Sequence, residues 1–236
     1  MFGHRGDQLS TGREVDRLMA FSDGVVAVAI TLMALPLISI PAPGAGEPLY
    51  TAVTNNLGQL VIFFFTFYVV AVMWRLHSRI FSQIRGYDNP LFWLNITWLA
   101  AIVLLPWMSN LYGYTFAFGA TDPNISTTGT GDLAFLYWFL LSCISGLGTL
   151  MGRHLSRNPG LLLEGTKPLA VSGIARYRGW IMVGYFFLIG LVSFIAPVLA
   201  SYLPIGILIL SLLLKPKSER TGAGGGKSPT VIGDSP

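Results

Sequence analysis

All 15 lysine and arginine residues of this 236-residue chain fall into four clusters. They lie up to Arg17, from Arg75 to Arg85, from Arg153 to Arg178, and from Lys215 onward. Long apolar runs separate them, and the loops 41–56, 113–131 and 197–203 hold no basic residue. Lysine and arginine stay on the cytoplasmic side of a membrane protein. Six spans with both termini cytoplasmic put all four clusters on one side, whereas five would leave the basic tail outside. Composition agrees. The chain is 53% hydrophobic and 11% charged, where soluble domains carry about 25% charged residues. The expectation is an all-α integral membrane protein, multi-pass in the cell membrane. The net charge of +4 is written into the flanks of apolar runs, which argues against nucleic acid as a partner.

The predicted helices follow the apolar runs. Helix 1 spans about 17–40 and breaks at Pro36 or Pro41. Helix 2 covers about 57–81, helix 3 about 90–112 with Pro106 near its far end, and helix 4 about 132–155. After a connector interrupted by Pro159, Gly160 and Pro168, helix 5 covers about 175–196 and helix 6 about 198–214. The last is short for a bilayer that needs roughly 20 residues. Residues 1–16 read as a cytoplasmic tail, 17–214 as the transmembrane unit, and 215–236, rich in Gly, Ser, Pro and Lys, as a disordered cytoplasmic tail. A signal peptide is a poor fit, because the apolar run of helix 1 contains Asp23. No repeat relates 1–110 to 111–214, which argues against a transporter built from paired repeats.

Few motifs suggest an enzyme. Thr221–Ser228 imitates a phosphate-binding loop, but its first glycine is a threonine and no strand or helix frames it. His4, His77 and His154 lack metal-ligand spacing within a helix, and the lone Cys143 sits in an apolar run. No catalytic residues, cofactor or tightly bound metal are expected.

The stretch Arg17–Leu35 is the unusual one. It brings an arginine, a serine and an aspartate to the mouth of an apolar helix, and an ionisable group entering a membrane segment is costly. At about 100° per residue, Val28, Thr31, Leu32 and Leu35 share one face. Asp23 lies about 140° around from Val28 and points toward neighbouring helices. Two readings stay open. The stripe is helix packing, which spacing alone favours, or symmetry copies bring it onto an axis. His77 ends helix 2 at the depth of Asp23, where a carboxylate would hold it protonated. Asn95 starts helix 3 and needs partners if buried.

The pattern Arg17, Phe21, Ser22, Asp23, Gly24, with Trp74, His77 and Phe81, then Asn95 and Pro106, resembles the transmembrane protein 175 family of potassium channels, in its prokaryotic one-repeat branch. The match covers roughly residues 13–110. The resemblance implies a homotetramer of six-helix subunits, helix 1 lining a central pore, and no TVGYG filter. It implies a constriction at Val28, Leu32 and Leu35, and a selectivity layer at Thr31. Arg17, Phe21, Ser22, Asp23, Trp74, His77 and Asn95 would form a structural polar network bracing helix 1. Partners would then be further copies of the chain, membrane lipid, and potassium with other monovalent cations, potassium being a permeant ion rather than a cofactor. Val28 stands where Ile or Leu is usual, which implies a wider neck, and Pro36 implies a kink beyond Leu35. The main rival is a secondary transporter or proton-coupled permease, which would want more intramembrane ionisable groups than Asp23 and His77.

Overall fold

The computed structural model describes residues 10–40, 42–46, 48–115, 130–165 and 177–196, with positions 199, 200, 203 and 206. The expected helix 6 falls almost wholly outside the described residues, as do the tails 1–9 and 215–236 and much of the loop 113–131 and the connector 156–174. The protein is an all-α membrane bundle. Its helices are α1 (Arg13–Leu32), α2 (Leu35–Ile38), α3 (Leu49–Asn55), α4 (Leu57–Phe81), α5 (Asn89–Thr115), α6 (Thr130–Arg157) and α7 (Arg178–Ile195). Among the described residues, four spans are long and apolar enough to cross a bilayer: Arg13–Ile38, Leu57–Phe81, Asn89–Gly113 and Gly131–Arg157. The apolar α7 has 18 residues, about 27 Å at 1.5 Å per residue.

The first helix starts at Arg13, a turn before its apolar run. Gly12 caps it with φ of 55°, a backbone turn that suits glycine. Pro36 does break the helix, but the break falls at Met33–Ala34, ahead of Leu35 and not beyond it as expected. Proline lacks an N–H, and its ring clashes with the carbonyl four residues back, here Leu32. The last α-type bond is Met33 N–H to Ala29 O, after which Ala34 and Leu37 reach back only three residues, to Thr31 O and Ala34 O. Leu35 therefore sits on α2, a short helix of its own.

The loop expected over 41–56 contains α3. Its Leu49, Tyr50 and Val53 are all exposed, so it buries no face among the described residues. Sequence patterning had nothing to detect there.

The core runs along α5 and α6. Leu91, Trp98, Ile102 and Leu105 of α5 and Tyr137, Trp138, Leu141, Ile144 and Met151 of α6 are almost fully buried. α5 packs on α1, α4 and α6, and α6 packs along α7. In a bilayer, apolar burial does not by itself favour one helix pair over lipid, so small residues and hydrogen bonds decide the packing. Both occur. A Cβ at Gly179 would meet Thr149 Oγ1 of α6 in a hard clash, so α7 approaches α6 only because that position is glycine. Between α4 and α6, Thr66 Oγ1 donates to Ile62 O at 2.7 Å and accepts from the Tyr137 hydroxyl at 2.6 Å.

At the basic end of the bundle, backbone hydrogen bonds tie the connections together. The strand β1 (Ser10–Thr11) pairs antiparallel with β2 (Gly86–Tyr87), Ser10 opposite Tyr87. The same α4–α5 turn binds the segment after α6. Arg85 N–H donates to Leu161 O and Leu163 N–H to Gln83 O, each at 2.9 Å. The Arg85 side chain donates to Gly160 O at 2.6 Å. His154 meets Asp88 at 2.8 Å, and Asp88 also accepts from the Leu91 amide at 3.0 Å near the start of α5.

Candidate functional site

α1 has two faces. Val15, Leu18, Ser22, Val26, Ala29 and Met33 are buried, at the three- and four-residue spacing of one helix side. Phe21, Gly24, Val28, Thr31 and Leu32 are exposed, as is Leu35 on α2. The contrast is sharp within one turn: Val26 and Ala29 are 1% and 2% exposed, Val28 is 58%. Among the described residues, the stripe Val28–Thr31–Leu32–Leu35 is therefore not the face of α1 that packs.

The buried face is held by a directional chain of hydrogen bonds. Asn95 Nδ2 on α5 donates to Ser22 Oγ at 3.0 Å. Its Oδ1 is left to accept from His77 Nε2 of α4 at 2.7 Å. Ser22 Oγ in turn donates to Leu18 O at 2.8 Å. Ser22, His77 and Asn95 are all buried, and three helices meet at this one amide. The His77 ring lies between two aromatic neighbours, Trp98 with ring centroids 4.4 Å away and an interplanar angle of 12°, and Phe81 at 4.4 Å and 24°. Stacking fixes the ring plane, so Nε2 is aimed at Asn95.

Asp23 belongs to a second, separate contact. Trp74 Nε1 on α4 donates to Asp23 Oδ1 at 2.8 Å, and both residues are exposed. The direct pairing of Asp23 with His77 expected from their common depth is thus not the bond that forms. Adjacent residues on a helix diverge by about 100°. Ser22 turns inward to Asn95, and Asp23 turns aside to Trp74. Arg17 and Phe21 stand apart from both contacts. Each is exposed, and among the described residues the Arg17 guanidinium has no partner. They point about 140° and 100° away from Ser22 around the helix.

On the uncovered face, Thr31 Oγ1 donates to Val28 O at 2.8 Å. The hydroxyl proton is therefore directed back along the helix, and its lone pairs remain free to accept. Gly24 has open space where a side chain would be. A mid-helix glycine costs about 1 kcal/mol relative to alanine, and nothing among the described residues requires it.

Sequence reasoning missed Trp98, Tyr137 and Thr66. Trp98 was within reach, because it lies three residues from Asn95 and so on the same side of α5. Tyr137 and Thr66 carry no local signal that would have paired them.

Residues 17–106 match the sequence profile of the family described as the endosomal/lysosomal potassium channel TMEM175. That interval holds Ser22, Asp23, Trp74, His77 and Asn95, and so the whole anchor of α1. Over this segment, which is less than half of the chain, the sequence is similar to the TMEM175 family. A potassium channel of Streptomyces collinus is 35% identical over 94 residues, which is 40% of this chain and 45% of the relative. The endosomal/lysosomal proton channel TMEM175 of Danio rerio is 30% identical over 122 residues, 52% of this chain and 21% of the relative. The chain thus spans less than half the length of these two relatives. The crystal structure of a lysosomal potassium-selective channel TMEM175 homolog from Chamaesiphon minutus has the same fold. It superposes with a TM-score of 0.66 at 23% identity, covering 86% of this chain and 98% of that one.

Proposed function

We propose that this chain is the subunit of a potassium-permeable cation channel, a homotetramer in the cell membrane with both termini cytoplasmic and α1 around a central axis. The observation that carries the reading is the uncovered stripe of α1. Val28, Leu32 and Leu35 form an apolar surface with one hydroxyl, Thr31, on a helix whose other side is pinned by Ser22, Asn95 and His77. Gly24 adds support. A glycine with no steric reason among the described residues suits a helix approached closely by a further copy. Relatives named as potassium and proton channels share this segment.

In this reading four copies of Val28, Leu32 and Leu35 form the constriction. A narrow apolar ring sheds water, and ions are blocked by dewetting. The Thr31 oxygens, their protons spent on Val28 O, are acceptors that can replace part of a cation's hydration shell. Potassium holds its water less strongly than sodium and is favoured. The buried anchor sets the rotation of α1, and the break before Pro36 lets Leu35 on α2 move separately from Leu32. Asp23, Trp74, Arg17 and Phe21 flank the anchor and set how α1 meets its neighbours. No cofactor takes part.

The experiment is flux from liposomes containing the purified chain, with potassium and then sodium as the only permeant ion, beside the oligomer's mass in detergent. The reading expects a tetramer with potassium flux that rises linearly with driving force. Saturating, proton-coupled flux would favour a transporter instead.

A further inference from the structure

We infer that α4 carries a binding site for one anionic phospholipid, its phosphate held by Arg75 and Arg79 and an acyl chain lying along Phe64, Tyr68 and Val72. The inference goes beyond the channel reading and does not rest on it.

α4 buries Gln59, Ile62, Thr66, Val69, Val70, His77, Ile80 and Phe81. At the same helical spacing its other side leaves Phe64, Tyr68, Val72, Arg75 and Arg79 exposed, one continuous stripe. The stripe changes chemistry once, from apolar to basic between Val72 and Arg75. Eleven residues separate Phe64 from Arg75, about 16 Å along the helix. Half of a hydrocarbon core about 30 Å thick is about 15 Å, so the apolar part is one leaflet tall. The arginines then stand at headgroup level. They are four residues apart and so one above the other, and among the described residues neither guanidinium has a hydrogen-bond or ion-pair partner. Two forked donors with free N–H groups suit the oxygens of a phosphate diester.

Charge separates this occupant from a second copy of the chain. Against another protein surface the two arginines would need acids. Among the described residues at this end of the bundle, Asp88 is taken by His154 and Asp23 accepts from Trp74. The acids there, Glu14, Asp16, Asp23, Asp88 and Glu164, are outnumbered by Arg13, Arg17, Arg75, Arg79, Arg85, Arg153 and Arg157, so a second copy brings more positive than negative charge to this level. An anionic lipid supplies the negative charge that the described residues of this end lack. The site also touches the anchor of α1. Trp74 precedes Arg75, and its indole is bonded to Asp23, so a headgroup on Arg75 sits beside the link between α4 and α1.

The test uses the full chain in nanodiscs of phosphatidylcholine with a minor fraction of phosphatidylglycerol. Lipid retained on the protein is counted by mass spectrometry. The unaltered chain should retain phosphatidylglycerol over phosphatidylcholine roughly tenfold. The double variant Arg75→Gln/Arg79→Gln should lose most of that preference. Arg153→Gln/Arg157→Gln, which removes the same charge from the end of α6, should keep it. Equal losses in the two variants would mean diffuse attraction to a basic surface and would overturn the site. A measurement on the unaltered fold guards against a variant that fails to fold. Brominated phosphatidylglycerol should quench the fluorescence component lost in Trp74→Phe several times more than brominated phosphatidylcholine does. Equal quenching by the two lipids would also overturn the proposal.

Discussion

The two faces of α1 are made of similar material and have different fates. One carries Val15, Leu18, Val26, Ala29 and Met33 and is buried; the other carries Val28, Leu32 and, on α2, Leu35 and is not. Hydrophobicity does not separate them, and in a bilayer it has little leverage to do so. Ser22 makes the difference. It is the polar residue of the buried face, and it meets Asn95, which meets His77. Two polar contacts with fixed direction, Ser22 with Asn95 and Asp23 with Trp74, orient α1 against α5 and α4, and that rotation goes with the stripe left for other partners.

The largest effect that can break this comparison belongs to the buried side. Trp98→Ala removes a side chain 2% exposed and stacked on His77. It should cost about 3–5 kcal/mol, read as a lower melting temperature in detergent. A variant that melts like the parent would mean that the stack does not hold the anchor. Asn95→Ala comes next, since it strands the His77 donor and frees Ser22. The expected loss is about 1–3 kcal/mol. Ser22→Ala should cost less, about 0.6 kcal/mol, because it takes from Asn95 only the Nδ2 bond and leaves Asn95 bonded to His77. The reverse order of melting temperatures would place the centre of the anchor at Ser22 rather than Asn95.

On the uncovered side stability should barely move. Val28→Asn should melt within about 0.5 kcal/mol of the parent, while potassium leak from liposomes rises as the neck takes up water. Loss of folding without a change in leak would show that Val28 packs within the chain after all. The smallest effect is expected at Thr31. Thr31→Ala should lower the potassium-over-sodium permeability ratio roughly threefold, about 0.6 kcal/mol, seen as a shift in biionic reversal potential at unchanged stability.

What could be read from the chain alone followed the period of its apolar residues. The expected bounds of helix 2 coincide with α4, Leu57–Phe81, because an uninterrupted apolar run between Asn56 and a basic end leaves little choice. The break before Pro36 was legible for a covalent reason. The α3 helix was not, since Leu49–Asn55 packs no face among the described residues. The pairing of Ser10–Thr11 with Gly86–Tyr87 was not either, because backbone bonds between distant segments leave no side-chain pattern. At the candidate site, Ser22, Asp23, Trp74, His77 and Asn95 were all singled out, yet their partners were assigned by depth. Depth along a helix says nothing of direction around it, and direction sends Ser22 to Asn95 and Asp23 to Trp74. The uncovered stripe was legible as a face, but which of two apolar faces would pack was not.

The central claim is that the uncovered face of α1 meets the ion path and the buried face does not. Cysteine accessibility tests it most directly, in a chain whose own Cys143 is replaced by alanine. A water-soluble, positively charged thiol reagent should modify Val28→Cys and Leu32→Cys in liposomes and abolish their potassium flux, while Val26→Cys and Ala29→Cys stay unmodified and conducting. Modification of Val26→Cys with block of flux, or full labelling of Val28→Cys without any change in flux, would contradict the account.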